Sequence, residues 1–498
     1  MRILLASSEA VPYAKTGGLA DVATGLAKAL SSAGHDVSLV IPLYRRLIPE
    51  QKRGEPVALV NLEMRQLTVR ATVRRSLLSG TNVEVLMIDQ PTFYDRRNLY
   101  TEDGQDYPDN AERFIFFSRA VMEIAQSITR PHIIHCNDWQ TALIPALIRN
   151  EREVGGRFIN TGTVLTIHNM AFHGQFAAWQ MELTGLPESY FNWRQMEHFG
   201  DLNLLKTGIS MADMITTVSP TYAEEICRPE YGHGLDGLLR SRHDRLVGIL
   251  NGVDLQDWNP EHDAALPQKY DATTVLAGKA ACKSALQKEL GLEVSPHSFL
   301  IGMISRLTEQ KGLDLITAEA DEILRADVQL AFLGTGDRYF EETLRTLQQR
   351  YPGRVAATIG FNEGLAHRIE AGSDAYFMPS RFEPCGLNQQ YSQIYGTLPI
   401  VHAVGGLADS VTDATPEAQA SNTATGFVFH KYTKEAFLDA VWRAFGTYTH
   451  YREDWDQMVQ NCMARDASWN ASAAQYVKVY EQALKWAAEP VLPSDEEA

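Results

Sequence analysis

The sequence has no long apolar run and few cysteines. No stretch approaches the ~20 apolar residues that a membrane-spanning helix needs, so we expect no integral membrane segment. The apolar run after Met1 meets Glu9 and Pro12 too early for a secretory signal, and it predicts a first strand. The five cysteines are odd in number and form no C-x-x-C pair, which indicates a reduced, cytoplasmic compartment.

Positive charge is also scarce. Lysines and arginines number 45 against 62 aspartates and glutamates, which gives a formal net charge of −17. Because nucleic-acid affinity depends largely on phosphate neutralisation by Lys and Arg, we expect no nucleic-acid partner. A neutral polymer stays possible as a ligand. An anionic small ligand would need a local cluster of cations and backbone N–H groups.

Metal-binding and nucleophile motifs are missing as well. The single clean D-x-D, Asp454-Trp455-Asp456, falls in a polar late helix with no preceding strand, so we expect neither a metal site nor a cofactor. Nothing resembles a Ser-His-Asp elbow or a P-loop. The charge of a phosphate leaving group would then have to be balanced by cations of the protein.

The length of 498 residues exceeds the roughly 250–300 at which a single core stops growing, so we expect two domains. Apolar β-branched runs alternate with helical patterns in each half, which predicts doubly wound parallel α/β sheets and a ligand cleft between two similar domains. The polar stretch 256–272, with Pro260 and Pro267, is the expected linker. The predicted domains are therefore 1–257 and 258–466.

The periodicity also locates individual elements. A C-terminal helix at about 467–487 is expected to pack back on the first domain, with a frayed acidic tail at 488–498. The predicted strands are 2–7, 37–42, 83–89, 132–138, 163–169, 214–219 and 246–251 in the first domain, then 299–306, 328–334, 356–360, 375–379, 399–404 and 426–429.

Three motifs follow predicted strands and precede helices. The first, Lys15-Thr16-Gly17-Gly18-Leu19-Ala20-Asp21, places a glycine pair at a helix N-terminus, which suits a diphosphate, although a tight turn would explain the same residues. In the second, Arg306 and Lys311 offer two cations near the carboxyl end of a sheet, or simply belong to a solvated loop.

The third motif, Ser380-Arg381-Phe382-Glu383-Pro384-Cys385-Gly386-Leu387-Asn388, suits phosphate binding through the backbone N–H groups of its last residues. Glu383 would be a costly neighbour for phosphate unless it binds sugar hydroxyls or a developing positive charge; otherwise it only complements a helix dipole. His168 and Asp138 each follow a strand at the same predicted edge, where a structural role is the alternative.

Taken together, these segments resemble the bacterial glycogen synthase and plant starch synthase family, retaining glucosyltransferases with two facing Rossmann-like domains in the GT-B fold. The similarity runs nearly end to end. It rests on Lys15 to Val22, Tyr94-Asp95-Arg96, His168-Asn169, Val218 to Tyr222, Leu250 to Asp254, Arg306 to Leu313 and Ser380 to Leu387.

The resemblance implies a role for each site residue. It makes Glu383, His168 and Lys15 the catalytic groups, with Glu383 and His168 flanking the glucose. Arg306 and Lys311 grip the donor diphosphate. The remaining substrate-binding residues are Gly18 and Gly386 to Asn388 in the phosphate cradle, Asp21 and Asn251 on ribose or sugar, Tyr100 near the glucosyl group, Phe361 on the base, and Asp138, Cys385 and Leu387.

Three positions depart from the family pattern. Phe361 stands where Tyr is common, which removes a hydroxyl and keeps a ring for stacking. Gln140 replaces a usual His after Asp138-Trp139, and Gln390 replaces a usual Leu, which is expected to alter packing.

The resemblance implies transfer of α-glucose from ADP-glucose to the non-reducing 4-hydroxyl of an α-1,4-glucan such as glycogen, with retention. Two alternatives stay open: a related retaining glucosyltransferase that makes a small glucoside such as sucrose, and a catalytically silent glucan-binding scaffold. The residues do not decide between ADP and UDP, and they leave the oligomeric state open.

Overall fold

The computed structural model describes residues 1–154 and 157–488. Its contacts divide the chain into two compact units. Unit 1 contains Met1–Gly252 and the chain from Trp469 onward, and unit 2 contains Val253–Ser468. The predicted boundary at 257/258 differs by five residues, since Val253 N already donates to Ala467 O at 2.7 Å within unit 2.

Unit 1 is built around one twisted sheet whose central strands are parallel and buried. Among the described residues nine strands form this sheet, in the order β14-β13-β9-β8-β1-β2-β5-β4-β3. Its strands and those of two small antiparallel ribbons are β1 Arg2–Ala6, β2 Asp36–Pro42, β3 Glu55–Met64, β4 Leu67–Leu77, β5 Glu84–Asp89, β6 Thr101–Glu102, β7 Gln105–Asp106, β8 Ile133–Asn137, β9 Gly162–Ile167, β10 Gln175–Phe176, β11 Glu197–His198, β12 Asp201–Asn203, β13 Met214–Thr217 and β14 Leu246–Gly248.

Helices cover the sheet because a parallel pair needs a crossover connection. The first crossover begins at Gly18 and buries Val22, Leu26 and Leu30 against the sheet, as their spacing predicts. The helices of this part are α1 Gly18–Ser32, α2 Pro91–Tyr94, α3 Asn110–Ile124, α4 Ile144–Val154, α5 Leu204–Met211, α6 Pro220–Glu225 and α7 Asp236–Ser241.

Unit 2 repeats this plan with a sheet in which every described strand pair is parallel, in the order β17-β16-β15-β18-β19-β20. The strands are β15 Phe299–Ile304, β16 Val328–Gly334, β17 Val355–Ile359, β18 Ala375–Met378, β19 Leu398–His402 and β20 Phe427–Phe429. Its helices are α8 Val275–Leu290, α9 Leu313–Ile323, α10 Arg338–Arg350, α11 Glu363–Gly372, α12 Asn388–Ile394, α13 Gly405–Ser410, α14 Pro416–Ala420, α15 Lys434–His450 and α16 Arg452–Met463.

The last helix, α17 Trp469–Ala488, packs on unit 1. Its first residue, Trp469, lies so close to α1 that a Cβ on Gly25 would meet the indole Nε1 at 2.1 Å. Further along, Tyr480 Oη shares a 2.9 Å hydrogen bond with His135 Nδ1. The expected acidic tail lies outside the described residues from 489 onward. Of the helices in the described part, none is long and apolar enough to cross a membrane.

Glu370 is a buried acidic residue in unit 2. The residue is fully buried on α11, and within the described residues neither carboxylate oxygen has a hydrogen-bond partner. Burial raises the pKa of the Glu370 carboxyl well above its usual range, and nearby Lys279 offsets this only in part. Burial therefore favours the protonated form of this carboxyl in the folded protein.

We expect Glu370→Gln to stabilise unit 2 increasingly as the pH rises. Because the folded pKa lies above the unfolded one, stability is fully present below the unfolded pKa and falls as pH approaches the folded value. Glutamine cannot ionise, so the thermal midpoint of the variant should exceed that of wild type at pH 8.5 by about 2–4 °C per kcal/mol and match it near pH 4. Calorimetry of both proteins, with exposed Glu453→Gln as control, measures this, and parallel pH curves would contradict it.

Candidate active site

The loop Lys15–Gly18 of unit 1 is held in place by one buried carboxylate. Glu9, 3% exposed, accepts hydrogen bonds from Thr16 N at 2.5 Å, from Thr16 Oγ1 at 2.6 Å and from Gly17 N at 3.3 Å. A Cβ on Gly17 or Gly18 would meet nothing within 4 Å. The glycines therefore leave open space in front of the first turn of α1, where a ligand phosphate could approach its N–H groups.

Two predicted residues join this loop. Lys15 Nζ lies 2.8 Å from Asp21 Oδ1, and the lysine side chain is half exposed. Tyr100 Oη donates to Glu9 Oε1 at 2.7 Å and lies 2.7 Å from Ser8 Oγ. Burial raises the pKa of Tyr100 well above its ordinary value, so the phenol keeps its proton. Glu9, which sequence reasoning did not select, thus connects Lys15–Gly18 to Tyr100.

His168 and Asp138 lie together at the carboxyl ends of the neighbouring strands β9 and β8. His168 N donates to Asp138 Oδ1 at 2.7 Å, and Asp138 takes a left-handed backbone conformation with φ of 54°. Burial raises the pKa of Asp138 to about 7 and lowers the pKa of His168 to about 3. His168 is therefore a neutral imidazole at physiological pH.

A second residue that sequence reasoning missed is Asn137, whose Oδ1 lies 2.9 Å from His168 Nε2. Its position as the last residue of β8, next to Asp138, was the available signal. Gln140 is 5% exposed, and its Oε1 has no hydrogen-bond partner among the described residues. Asn251, also buried, lies just beyond β14 in unit 1.

In unit 2 a cavity of about 200 Å³ opens at the carboxyl end of β15 and β18. Its lining includes Arg306, Lys311, Ser380 and Asn388. Two predicted motifs therefore meet at one edge of the sheet, because β15 and β18 are parallel neighbours.

The chemistry of this cavity centres on an ion pair. Lys311 Nζ lies 2.5 Å from Glu383 Oε2, and both side chains are largely buried. Ser380 Oγ donates to the same carboxylate oxygen at 3.0 Å. Lys311 thus compensates the charge of Glu383, and an anionic ligand at the cavity would offer the lysine a second partner.

Gln310 connects the loop that carries Arg306 and Lys311 to the loop that carries Glu383. Sequence reasoning did not select this residue. Gln310 Nε2 donates to Phe382 O at 2.8 Å, and Arg381 N donates to Gln310 O at 2.9 Å. Gly312 completes the turn at φ of 81°, where a Cβ would meet Pro379 O at 2.2 Å.

The segment that begins at Glu383 packs against Gly405 and Gly406, the first two residues of α13. Gly406 N donates to both Glu383 O and Pro384 O at 3.1 Å. A Cβ on Gly406 would lie 2.0 Å from Cys385 O. Asn388 Nδ2 donates to Ile304 O at 3.0 Å and to Tyr376 Oη at 2.7 Å, which ties the start of α12 to β15.

Cys385, Gly386 and Leu387 follow Glu383 and Pro384 in the chain, and Cys385 is buried. Phe361 stands apart from this cluster, beyond the end of the edge strand β17, and its ring is 92% exposed. Gln390 is buried, consistent with a role in packing. No group of three or more His, Cys, Asp or Glu side chains in the described part of the chain could hold a metal ion.

This fold and these loops define a nucleotide-sugar glycosyltransferase with two α/β units. Residues 2–241 match the family model described as the starch synthase catalytic domain, and residues 288–459 match that of glycosyl transferases group 1. The chain belongs to the glycogen and starch synthase family.

Individual relatives support the same assignment. A glycogen synthase from Anaeromyxobacter sp. (strain Fw109-5) is 47% identical and aligns over 96% of this chain and 99% of its own. Glycogen synthase 1 from Methylococcus capsulatus is 44% identical, with 97% of both chains covered.

Solved structures confirm the predicted fold class. The catalytic domain of starch synthase IV from Arabidopsis thaliana, bound to ADP and acarbose, superposes with a TM-score of 0.86 at 31% identity and covers 97% of this chain and 99% of that chain. A sucrose-phosphate synthase from Thermosynechococcus elongatus shares the fold alone, with a TM-score of 0.58 at 16% identity, over 96% of this chain and 98% of its own.

We expect Gly406→Ala to lower glucosyl transfer by about a hundredfold, because its Cβ displaces the Glu383–Cys385 backbone and misplaced reacting groups cost rates of that order. Gly446→Ala is the matched control, since a Cβ on that glycine of α15 would meet nothing within 4 Å. Initial rates at equal folded fraction, checked by circular dichroism, measure the effect. Wild-type rates for folded Gly406→Ala would contradict the supporting role of the glycine.

Proposed function

We propose that this chain elongates glycogen by transferring α-glucose from ADP-glucose to the non-reducing 4-hydroxyl of an α-1,4-glucan, with retention. The observation that carries the proposal is the cavity lined by Arg306 and Lys311, with Lys311 paired to Glu383, in a chain 47% identical to a named glycogen synthase. ADP in the starch synthase IV structure supports adenine as the donor base.

Arg306 and Lys311 are proposed to neutralise the donor diphosphate. The protein as a whole carries a formal charge of −17, so attraction of a dianionic group depends on local cations. When the donor arrives, its phosphate shares Lys311 with Glu383. The amides of Gly386 to Asn388, at the start of α12, are proposed to bind the same phosphate, and the amide of Gly18, at the start of α1, is proposed as a further phosphate contact.

Glu383 is proposed to face the glucose, where its carboxylate binds hydroxyls and stabilises the positive charge that develops at C1. Retention then follows from attack on the face that the phosphate leaves. In this mechanism the leaving phosphate oxygen takes the proton of the acceptor hydroxyl while the C1–O bond breaks and the new glycosidic bond forms. Preorganised charges of the protein lower the barrier without covalent catalysis.

The groups of unit 1 complete the proposed reaction. His168, as a neutral imidazole, binds a sugar hydroxyl beside Asp138, and Lys15 lies beside the reacting groups. Asp21 and Asn251 hold the ribose or the sugar, while Tyr100 approaches the glucosyl group. Phe361 is proposed to stack on the base through its exposed ring, which recognises an aromatic face rather than a particular base.

We place the reaction in the cytoplasm and assign it no metal, cofactor or nucleic-acid partner. All five cysteines are free thiols, which suits a reducing compartment. The cations of Arg306 and Lys311 supply the charge relief that a divalent metal gives in other transferases. Turnover should therefore be unchanged by a chelator.

Lys311→Ala and Glu383→Ala should each lower transfer from ADP-glucose to glycogen at least a hundredfold, on the scale of a lost electrostatic contact in a transition state. Exposed Lys288→Ala, on α8, is the matched control. Initial rates with ADP-glucose and UDP-glucose, measured in chelator, test the donor and the metal independence together. Near wild-type turnover of either variant would overturn the assignment.

The same assay separates the remaining functions. Transfer to fructose instead of glycogen would indicate an enzyme that makes a small glucoside. Glycogen binding without any donor turnover would indicate a catalytically silent scaffold. Intact Lys15, His168, Arg306, Lys311 and Glu383 favour the active transferase over both alternatives.

A further inference from the structure

The amide of Asn137 bridges two neighbouring strand ends in unit 1. Asn137 is 2% exposed and ends β8. Its Nδ2 donates to Ala6 O, at the end of β1, at 3.1 Å. Its Oδ1 lies 2.9 Å from His168 Nε2, at the end of β9. The three strands are adjacent and parallel, so the sheet brings Ala6, Asn137 and the start of the loop with His168 side by side.

The contact with Ala6 determines which way the amide faces. A backbone carbonyl only accepts hydrogen bonds, so the Asn137 NH₂ group must point towards Ala6 O. Oδ1 then faces the imidazole, and because this oxygen also only accepts, His168 Nε2 must carry the hydrogen. A neutral imidazole has one N–H, which leaves Nδ1 of His168 as a hydrogen-bond acceptor.

The surroundings of His168 keep the ring neutral. Burial lowers its pKa to about 3. The charged and titratable groups near His168 are Asp138, Glu9 and His135. Asp138 accepts the backbone N–H of His168, and the charge of Glu9 helps to raise the pKa of Asp138. Burial lowers the pKa of His135 as it lowers that of His168. The group opposite Nε2 is a neutral amide, which gives an imidazolium no compensating charge.

We propose that Asn137 is a positioning residue that fixes His168 in the Nε2–H tautomer, so that Nδ1 accepts a hydrogen bond from one hydroxyl of the donor glucose. The role of the sugar hydroxyl rests on the proposed function. The tautomer rests on the contacts of Asn137 alone. His168 thereby selects donors whose sugar keeps that hydroxyl, and it does not act as a proton donor through Nδ1.

The tautomer can be observed directly. Long-range ¹H–¹⁵N correlation spectra of the full chain labelled with ¹⁵N-histidine, with His168 assigned by its loss in His168→Ala, distinguish Nε2–H from Nδ1–H. We expect Nε2–H between pH 5.5 and 8.5 in wild type, and a mixture of tautomers in Asn137→Ala. An Nδ1–H or doubly protonated His168 in wild type would overturn the proposal. This spectrum needs no donor, so it stands even if the proposed activity is absent.

Kinetics separate positioning from a structural role. Asn137→Ala should lower transfer about tenfold, the scale of one buried hydrogen bond, and should have no further effect in a His168→Ala background. An equal loss in both backgrounds would show that Asn137 acts on the fold and would overturn the proposal. Thermal midpoints of all four proteins identify any variant that is not folded.

Asn137→Asp gives a second, independent readout. A carboxylate opposite Nε2 favours the imidazolium and should raise the pKa of His168 into the accessible range. Transfer by this variant should therefore show an added fall as the pH drops through the new pKa of His168, on top of any step, such as that of Asp138, that it shares with wild type. An Asn137→Asp profile that parallels the wild type would contradict the proposal.

Donor analogues identify the hydroxyl. A monodeoxy or deoxyfluoro glucose that cannot donate to Nδ1 should lose about tenfold in kcat/KM with wild type and nothing further with His168→Ala. If every analogue lost the same factor in both proteins, His168 would not read a hydroxyl, and the specificity part of the proposal would fail.

Discussion

Parallel strand pairing is the constraint on which the candidate site residues of each unit depend. In unit 1 it brings the ends of β1, β8 and β9 together, and with them Glu9, Asn137, Asp138 and His168. In unit 2 the β15–β18 pair brings the Arg306 and Glu383 motifs to one edge. Residues that are far apart in sequence share a site because parallel strands all end at the same side of a sheet.

The lysines of the candidate site are paired with neighbouring carboxylates that neutralise them only in part. An acidic protein that binds a diphosphate needs cations that are held in place without being fully neutralised. Lys311 meets this need by pairing with the carboxylate of Glu383, which also accepts a hydrogen bond from the hydroxyl of Ser380. On the other unit, Lys15 is paired with Asp21 and stays half exposed. Both lysines are thus positioned and can still respond to an incoming phosphate.

The sequence predicted the parallel strands of both sheets to within three residues at each end, because buried parallel strands read as continuous apolar runs. The sequence did not predict the β3–β4 hairpin, because Arg, Glu and Leu are mixed at its exposed positions and the turn between the two strands contains no glycine. Lys311 and Glu383 were selected from their motifs. Glu9, Asn137 and Gln310 were not, because their roles consist of hydrogen bonds to distant backbone and side-chain groups that only the folded chain reveals.

The central claim is that these residues transfer glucose from a nucleotide to a glucan with retention and without a metal. Proton NMR of ADP-glucose and a maltooligosaccharide, incubated with the protein in excess chelator, tests it most directly. The account predicts that donor is consumed in step with new α-1,4 anomeric signals, one linkage for each ADP released. Formation of β linkages, release of free glucose alone, or an unchanged donor would contradict it.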